Sequence, residues 1–145
     1  MSDLKETIER CLAVYNRHDA AGFASFFAED GVLRHTNNDD ETAEGREQIQ
    51  RMMEGAWRAF PDWTLASRGL YDCGDAIWLA WTITGTHKGE FMGIPPTDRR
   101  FEMLGCSHFT FAADGFIAQD DVYWDSATML RQLGLLPEPE AAQRA

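Results

Sequence analysis

The sequence predicts an α+β fold in which a strongly curved antiparallel or mixed sheet wraps over three helices as a cone with an internal pocket. Helical periodicity fills roughly the first 60 residues, and β-branched and aromatic runs dominate after Trp63. The predicted strands are joined mostly by short turns, which makes sequential strands pair antiparallel. The length of 145 residues suits one domain, assigned to residues 1–137, with a flexible tail over 138–145.

Each helix is marked by apolar spacing and by a start or stop signal. The first ends near Asn16 and carries apolar residues at intervals of three and four: Leu4, Ile8, Cys11, Leu12 and Tyr15. The second is capped by Asp19 and is predicted to carry Phe23, Phe26 and Phe27 on one face before residues 30–31 break it. A third follows Gly45 and stops at Pro61, and a short last helix covers 126–133.

Five strands are predicted, over residues 32–36, 63–71, 76–86, 99–111 and 116–124. Residues 37–41 between the first strand and the third helix are polar and predict a solvated loop. Gly-Asp and Asp-Gly pairs at 74–75 and 114–115 are typical of antiparallel hairpins.

The composition excludes several classes of protein. A formal net charge of −11 argues against binding to nucleic acid or to an anionic membrane surface, because both are bound through clustered Lys and Arg. The three cysteines, Cys11, Cys73 and Cys106, are widely spaced and predict free thiols. The polar amino terminus contains no apolar run typical of a signal peptide or membrane span, so we expect a cytoplasmic protein.

Four short runs carry a resemblance to a known family: FPD at 60–62, GTHKGEFMGIPPT at 85–97, DGFI at 114–117 and LRQLG at 130–134. In this order they resemble the SnoaL-like polyketide cyclases of the nuclear transport factor 2-like superfamily over most of the chain. The resemblance implies a nuclear transport factor 2-like, cystatin-like roll and acid/base chemistry on a small molecule. Asp98 departs from the family pattern, which usually carries Gly there.

The candidate catalytic residues lie on three of the predicted strands. Asp120 and Asp121 are adjacent, so only one can face the cavity. The resemblance implies an acid/base aspartate on this strand and, counted back from LRQLG, matches it to Asp121. It also implies a polar pocket residue near His108, and His35 is a third candidate at the pocket mouth. The alternatives are a surface aspartate and a histidine satisfied in the core.

The loop histidine His87 is expected to make a structural hydrogen bond rather than to take part in chemistry. Large aromatic side chains are expected to line a pocket for an apolar or flat polycyclic ligand: Tyr15, Trp57, Trp63, Trp81 and Tyr123. No metal or other cofactor is expected, because the histidines lack ligand spacing and no glycine-rich phosphate loop is present.

The leading hypothesis is a cofactor-independent cyclase that closes a ring by intramolecular aldol condensation in a polyketide-like molecule. The alternatives are an isomerase-like enzyme, an epoxide hydrolase-like enzyme with an Asp-Arg-Asp pocket cluster, and a non-catalytic binding domain for an apolar metabolite. A homodimer is expected, because the predicted helices cover only one face of the sheet. Residues 76–83 carry apolar side chains on both faces, so the other face needs its own cover.

Overall fold

A computed structural model describes residues 3–37 and 41–137. The predicted α+β class and the curved mixed sheet are confirmed. The described helices are α1 (Leu4–Asn16), α2 (Ala20–Ala24), α3 (Arg46–Ala59) and α4 (Ser126–Gln132). The strands are β1 (Phe27–His35), β2 (Thr42–Glu44), β3 (Thr64–Asp72), β4 (Ala76–Thr86), β5 (Arg100–Phe111) and β6 (Ile117–Trp124). The predicted tail over 138–145 lies outside the described residues.

The six strands form one sheet in the order β2-β1-β6-β5-β4-β3. Strands β3 to β6 pair antiparallel in sequence order, as the short turns predict. Strand β1 lies parallel to β6 and antiparallel to β2, so the amino-terminal and carboxy-terminal parts of the chain meet in the middle of the sheet. This pairing places the last strand, with its two aspartates, beside the first.

Aspartate side chains cap the first two helices, and the cap at Asp19 was predicted. The Asp3 side chain accepts from the backbone N–H groups of Lys5 and Glu6 at the start of α1, and Asp19 accepts from Gly22 at the start of α2. Ile8, Cys11 and Tyr15 form the buried stripe of α1. Helix α3 ends at Ala59, before Pro61, which has no backbone N–H to continue it.

The second helix is shorter than predicted, and the first strand is longer. The prediction that Phe26 and Phe27 continue the helix is wrong, because α2 ends at Ala24 and Phe27 begins β1. Phe27 is fully buried and pairs with Ile117 on β6. Pairing with a distant strand therefore overrides the local helical spacing. The short strand β2 was not predicted, whereas the bounds of β3 to β6 agree with the sequence within one residue.

Strand β4 shows how the sheet divides its side chains between two faces. Ile77, Leu79, Trp81 and Ile83 are buried on the face that the helices cover. Trp78 alternates with them and lies on the outer face, where it is only partly buried. Within the described residues, no helix has the length and apolar character that crossing a bilayer requires.

Candidate active site

A cavity of about 100 Å³ lies between the helices and the inner face of the sheet. Its wall is mostly apolar, and its polar side chains come from separate elements: Tyr15, His35, Glu41, Ser107 and Asp120. None of the described residues that line the cavity is an arginine or a lysine. No arginine or lysine among these described lining residues therefore accompanies Asp120 in the cavity.

The cavity adjoins a surface groove near the loop between β4 and β5. Five residues line both the cavity and the groove: Glu41, Met52, Ala56, Phe91 and Met92. Phe91 and Met92 belong to the GTHKGEFMGIPPT run, and Met52 and Ala56 belong to α3. This run therefore contributes to the mouth of the cavity.

Asp120 is the buried acidic group of the cavity. The residue is 4% exposed, and its Oδ1 atom is buried without a hydrogen-bond partner among the described residues. Burial raises the pKa of the Asp120 carboxyl well above its usual range, and the nearby charge of Asp121 raises it further. A carboxyl group with a raised pKa in a mostly apolar pocket is suited to exchanging a proton with a bound molecule.

The prediction that Asp121 faces the cavity is wrong. Asp121 does not line the cavity, and its carboxylate accepts from the Nε of Arg34 at 3.1 Å and from the Nε2 of Gln119 at 2.8 Å. The cause is a break in the alternation of β6. Thr110 pairs with Gln119 but Phe111 pairs with Ile117, so Ala118 is an extra residue in the strand. Strict alternation counted from Ile117 therefore assigns Asp121 to the cavity, whereas the extra residue places Asp120 there.

His35 lines the cavity, on the same side of the sheet as Asp120. In the parallel ladder between β1 and β6, Leu33 pairs with Asp120 and His35 pairs with Val122. The Nδ1 atom of His35 accepts a hydrogen bond of 2.9 Å from the indole Nε1 of Trp124. Burial lowers the pKa of His35 to about 4, so the ring is neutral at physiological pH.

His108 lies on the outer face of the sheet, so its predicted place in the pocket is wrong. Its ring packs against Trp78 with the centroids 4.4 Å apart, and it pairs across the strands with Trp78 and Asp121. The adjacent Ser107 lines the cavity instead. Ser107 was not among the predicted site residues, although its alternation with Phe109 and Met103 indicated the inner face.

The five predicted aromatic wall residues divide into two groups. Tyr15, Trp63 and Trp81 line the cavity. Trp57 is buried outside the cavity wall, stacked on His18 with the centroids 4.8 Å apart, and Tyr123 is 41% exposed on the outer face. For these two residues the expected contact with a ligand in the cavity is wrong.

Two of the runs that carry the family resemblance join the helices to the sheet. The carboxylate of Asp62, in FPD, accepts from the backbone N–H and the hydroxyl of Thr86 at 2.6 and 2.7 Å. His87 is fully buried, and its Nδ1 atom contacts the Oγ1 of Thr97 at 3.1 Å across the loop. The hydrogen bond predicted for His87 across this loop is confirmed. Asp98 adopts a φ of 60°, a conformation that Gly enters freely and Asp tolerates.

Asp120→Asn is expected to change the pH dependence of stability. A folded-state pKa above the unfolded value means that the native protein binds the proton more tightly, so wild-type stability falls as pH rises from about 4 through the raised pKa. The asparagine variant does not titrate in this window. The unfolding free energy of the variant minus that of the wild type should therefore increase between pH 4 and pH 8. Denaturant titrations at several pH values measure this difference. A gain that shrinks with rising pH would contradict the raised pKa.

The fold and the site define a small α+β roll with one buried carboxyl group in a largely apolar cavity. Residues 5–133 match the family described as SnoaL-like polyketide cyclase, and the chain belongs to this family. The resemblance found in the four sequence runs is thereby confirmed. Comparison with curated proteins finds no match.

Solved structures show the same architecture. The proposed hydroxylase AclR from Streptomyces galilaeus is 28% identical, with a TM-score of 0.82 over 97% of this chain and 91% of its own. IdmH, a proposed polyketide cyclase from Streptomyces antibioticus, is 32% identical, with a TM-score of 0.73 over 92% of this chain and 99% of its own. A Catenulispora acidiphila protein with a ketosteroid isomerase-like fold, in complex with trimethylamine, is 20% identical, with a TM-score of 0.75 over 92% and 98%. The nuclear transport factor 2-like fold is thus confirmed.

Proposed function

We propose that this chain is a cofactor-independent cyclase that closes a ring by intramolecular aldol condensation in a polyketide-like molecule. The observation that carries the proposal is the carboxyl group of Asp120, buried in a cavity whose wall is mostly apolar and, in its described part, has no cation. Membership of the SnoaL-like family supports this chemistry. The base role predicted for Asp121 passes to Asp120, because Asp121 is held by Arg34 outside the cavity.

The proposed reaction needs one base and one hydrogen-bond donor. Asp120 takes a proton from a carbon that lies between two carbonyl groups, and the electron pair of that C–H bond forms an enolate. The enolate carbon attacks a third carbonyl carbon farther along the same molecule, a C–C bond forms as the C=O π electrons move to oxygen, and the resulting alkoxide takes the proton back from Asp120. His35 donates a hydrogen bond to the enolate oxygen. It acts as a donor rather than as a proton carrier, because its pKa of about 4 leaves the ring neutral at neutral pH.

The cavity favours this function over epoxide hydrolysis. An epoxide hydrolase-like site would need an arginine between two acidic groups in the pocket. Here Arg34 pairs with Asp121 on the outer face, and Asp120 lines the cavity without an arginine among its described neighbours in the wall. An isomerase-like proton transfer would use the same base and is distinguished by its product, which retains the carbon skeleton without a new ring.

A model substrate tests the base chemistry before the natural one is known. An aryl β-keto ester carries acidic protons on the carbon between its carbonyl groups, and removal of these protons in D₂O is followed by mass spectrometry. We expect the wild-type protein to accelerate deuterium incorporation above the rate in buffer. A protein that binds such compounds without accelerating exchange would support the non-catalytic binding domain instead.

We further propose that the chain forms a homodimer through the outer face of the sheet. This face carries aromatic and apolar side chains that the helices do not cover, including Trp78, Leu104 and Tyr123. Leu104→Glu should convert the dimer into a monomer in light scattering at micromolar concentration, because it places a charge in the buried contact. Leu136→Glu, at another exposed apolar residue, should leave the dimer intact. A monomeric wild-type protein would contradict this proposal.

A further inference from the structure

Three tryptophan indoles in the cavity wall each donate a hydrogen bond to a polar side chain of the same wall. The Nε1 of Trp63 donates to the Oη of Tyr15 at 2.6 Å. The Nε1 of Trp81 donates to the Oγ of Ser107 at 3.0 Å. The Nε1 of Trp124 donates to the Nδ1 of His35 at 2.9 Å. All six residues line the cavity.

The direction of these bonds follows from the chemistry of the indole, which is a donor only. A hydroxyl oxygen that accepts from an indole keeps its own hydrogen available for another acceptor. For His35 the consequence is stricter, because a neutral imidazole has one protonated and one unprotonated nitrogen. If Nδ1 accepts, the proton must reside on Nε2.

We infer that Trp124 is a positioning residue, which holds His35 in the neutral tautomer protonated at Nε2 and so makes it a hydrogen-bond donor in the cavity. Trp63 and Trp81 likewise donate to the hydroxyl oxygens of Tyr15 and Ser107, which leaves the hydroxyl hydrogens available to a bound molecule. The cavity then offers donors to a bound molecule, together with the carboxyl group of Asp120, and it suits ligands that present oxygen acceptors. The role of His35 in the reaction rests on the proposed function, whereas its tautomer does not.

The surroundings of His35 support a ring that stays neutral. Among the described residues, four other ionisable side chains line the same cavity: Cys11 and Tyr15 from α1, Glu41 before β2, and Asp120 from β6. Burial raises the pKa values of Cys11 and Tyr15, so neither group places a negative charge in the cavity at pH 7. The indole of Trp124 meets the imidazole edge-on, with the centroids 6.0 Å apart and an interplanar angle of 86°.

Nitrogen NMR of the histidine side chains tests this inference directly. The full-length protein is labelled with ¹⁵N-histidine, and the signals of His35 are assigned by their loss in His35→Gln. At pH 7 we expect one neutral form, with the proton on Nε2 and with Nδ1 unprotonated. A wild-type His35 that carries its proton on Nδ1, or that is doubly protonated at pH 7, overturns the inference without the need for any variant.

Trp124→Phe removes the indole N–H and retains an aromatic ring. We expect the ratio of the two His35 tautomers to shift by about fivefold toward the form protonated at Nδ1, which corresponds to the loss of one typical hydrogen bond. Trp57→Phe is the matched control, because the Nε1 of Trp57 has no partner among the described residues and Trp57 lies outside the cavity wall. It should affect the signals of His18, which stacks on Trp57, and leave those of His35 unchanged.

An unchanged tautomer ratio in folded Trp124→Phe would overturn the positioning role and leave the proposed function intact. Conversely, the failure of the wild-type protein to accelerate deuterium exchange would count against the cyclase proposal and leave the tautomer result standing. If Trp124→Phe does not fold, the wild-type spectrum still decides whether Nδ1 is an acceptor.

Discussion

Asp120→Asn is expected to slow the chemical step of the proposed reaction by about 100- to 10,000-fold, the contribution that a general acid or base makes to catalysis. The substitution keeps the size of the side chain but removes the group that takes the proton. The measurement is the rate of deuterium incorporation into the β-keto ester, with a ring-closing substrate used once one is known. Ligand affinity should change far less than the rate, because the apolar wall is untouched.

Asp121→Asn is the matched control for this experiment. The same chemical change one residue along the strand falls on a side chain that contacts Arg34 and Gln119 outside the cavity. We expect a far smaller change in exchange rate from this variant than from Asp120→Asn, together with an acid limb at lower pH, because Asp121 no longer raises the pKa of Asp120. If Asp121→Asn loses activity and Asp120→Asn retains it, the assignment of the base is wrong. The acid limb of the wild-type pH profile should also lie above the usual pKa of aspartate, since burial disfavours the ionised form of Asp120.

Elements whose signals are local could be read from the sequence. The predicted cap Asp19 stands at the start of α2, and its side chain accepts from the backbone N–H of Gly22. The strand bounds of β4 were predicted to the residue, because turn residues flank an apolar run on both sides. The prediction of helix at Phe27 was wrong, because the conformation of this residue depends on a parallel partner strand about 90 residues away in the chain.

The site residues depended on long-range register, which the sequence does not display. The bulge at Ala118 reverses the faces of Asp120 and Asp121, and a one-residue error of this kind moves every side chain to the other face. A usable signal was nevertheless present. Beyond the bulge, Gln119, Asp121 and Tyr123 form a polar set, whereas Val122 and Trp124 share the parity of Asp120. The more apolar set is the one expected to face a core.

The assignment of His108 to the pocket shows the limit of arguing from a family resemblance. A polar residue does line the cavity at this point of β5, but it is Ser107, whose hydroxyl accepts a hydrogen bond from the Trp81 indole. The resemblance located the correct part of β5. The alternation of side chains between the two faces of the sheet then places Ser107, and not His108, in the cavity. Because His108 pairs with Asp121 across the ladder, both residues occupy the outer face together. Of the three predicted catalytic residues, the two that lie on the outer face, Asp121 and His108, are therefore cross-strand neighbours.

Phe60→Ala is expected to lower the free energy of unfolding by about 3–5 kcal/mol, as is usual when a buried aromatic side chain is truncated. Phe60 is fully buried, and its ring packs within 5.0–5.5 Å, between centroids, of four others: Trp63, His87, Phe91 and Phe101. It therefore joins the end of α3 to β5 and to the loop that carries Phe91 at the cavity mouth. Thermal melting should shift downward by roughly 10 °C or more.

Two variants separate loss of packing from a general sensitivity to substitution. Phe60→Leu refills most of the space and should cost less than about 1.5 kcal/mol if the loss in Phe60→Ala comes from the empty volume. Phe116→Ala makes the same truncation at a side chain that is 39% exposed, and it should cost less than about 1 kcal/mol even though Arg46 lies over the ring. Equal losses for Phe60→Ala and Phe116→Ala would show that the ring of Phe60 does not hold these elements together. A large loss at Phe60 alone would explain physically why FPD and the GTHKGEFMGIPPT run occur together, since Phe60 packs on His87 and Phe91 while Asp62 binds Thr86.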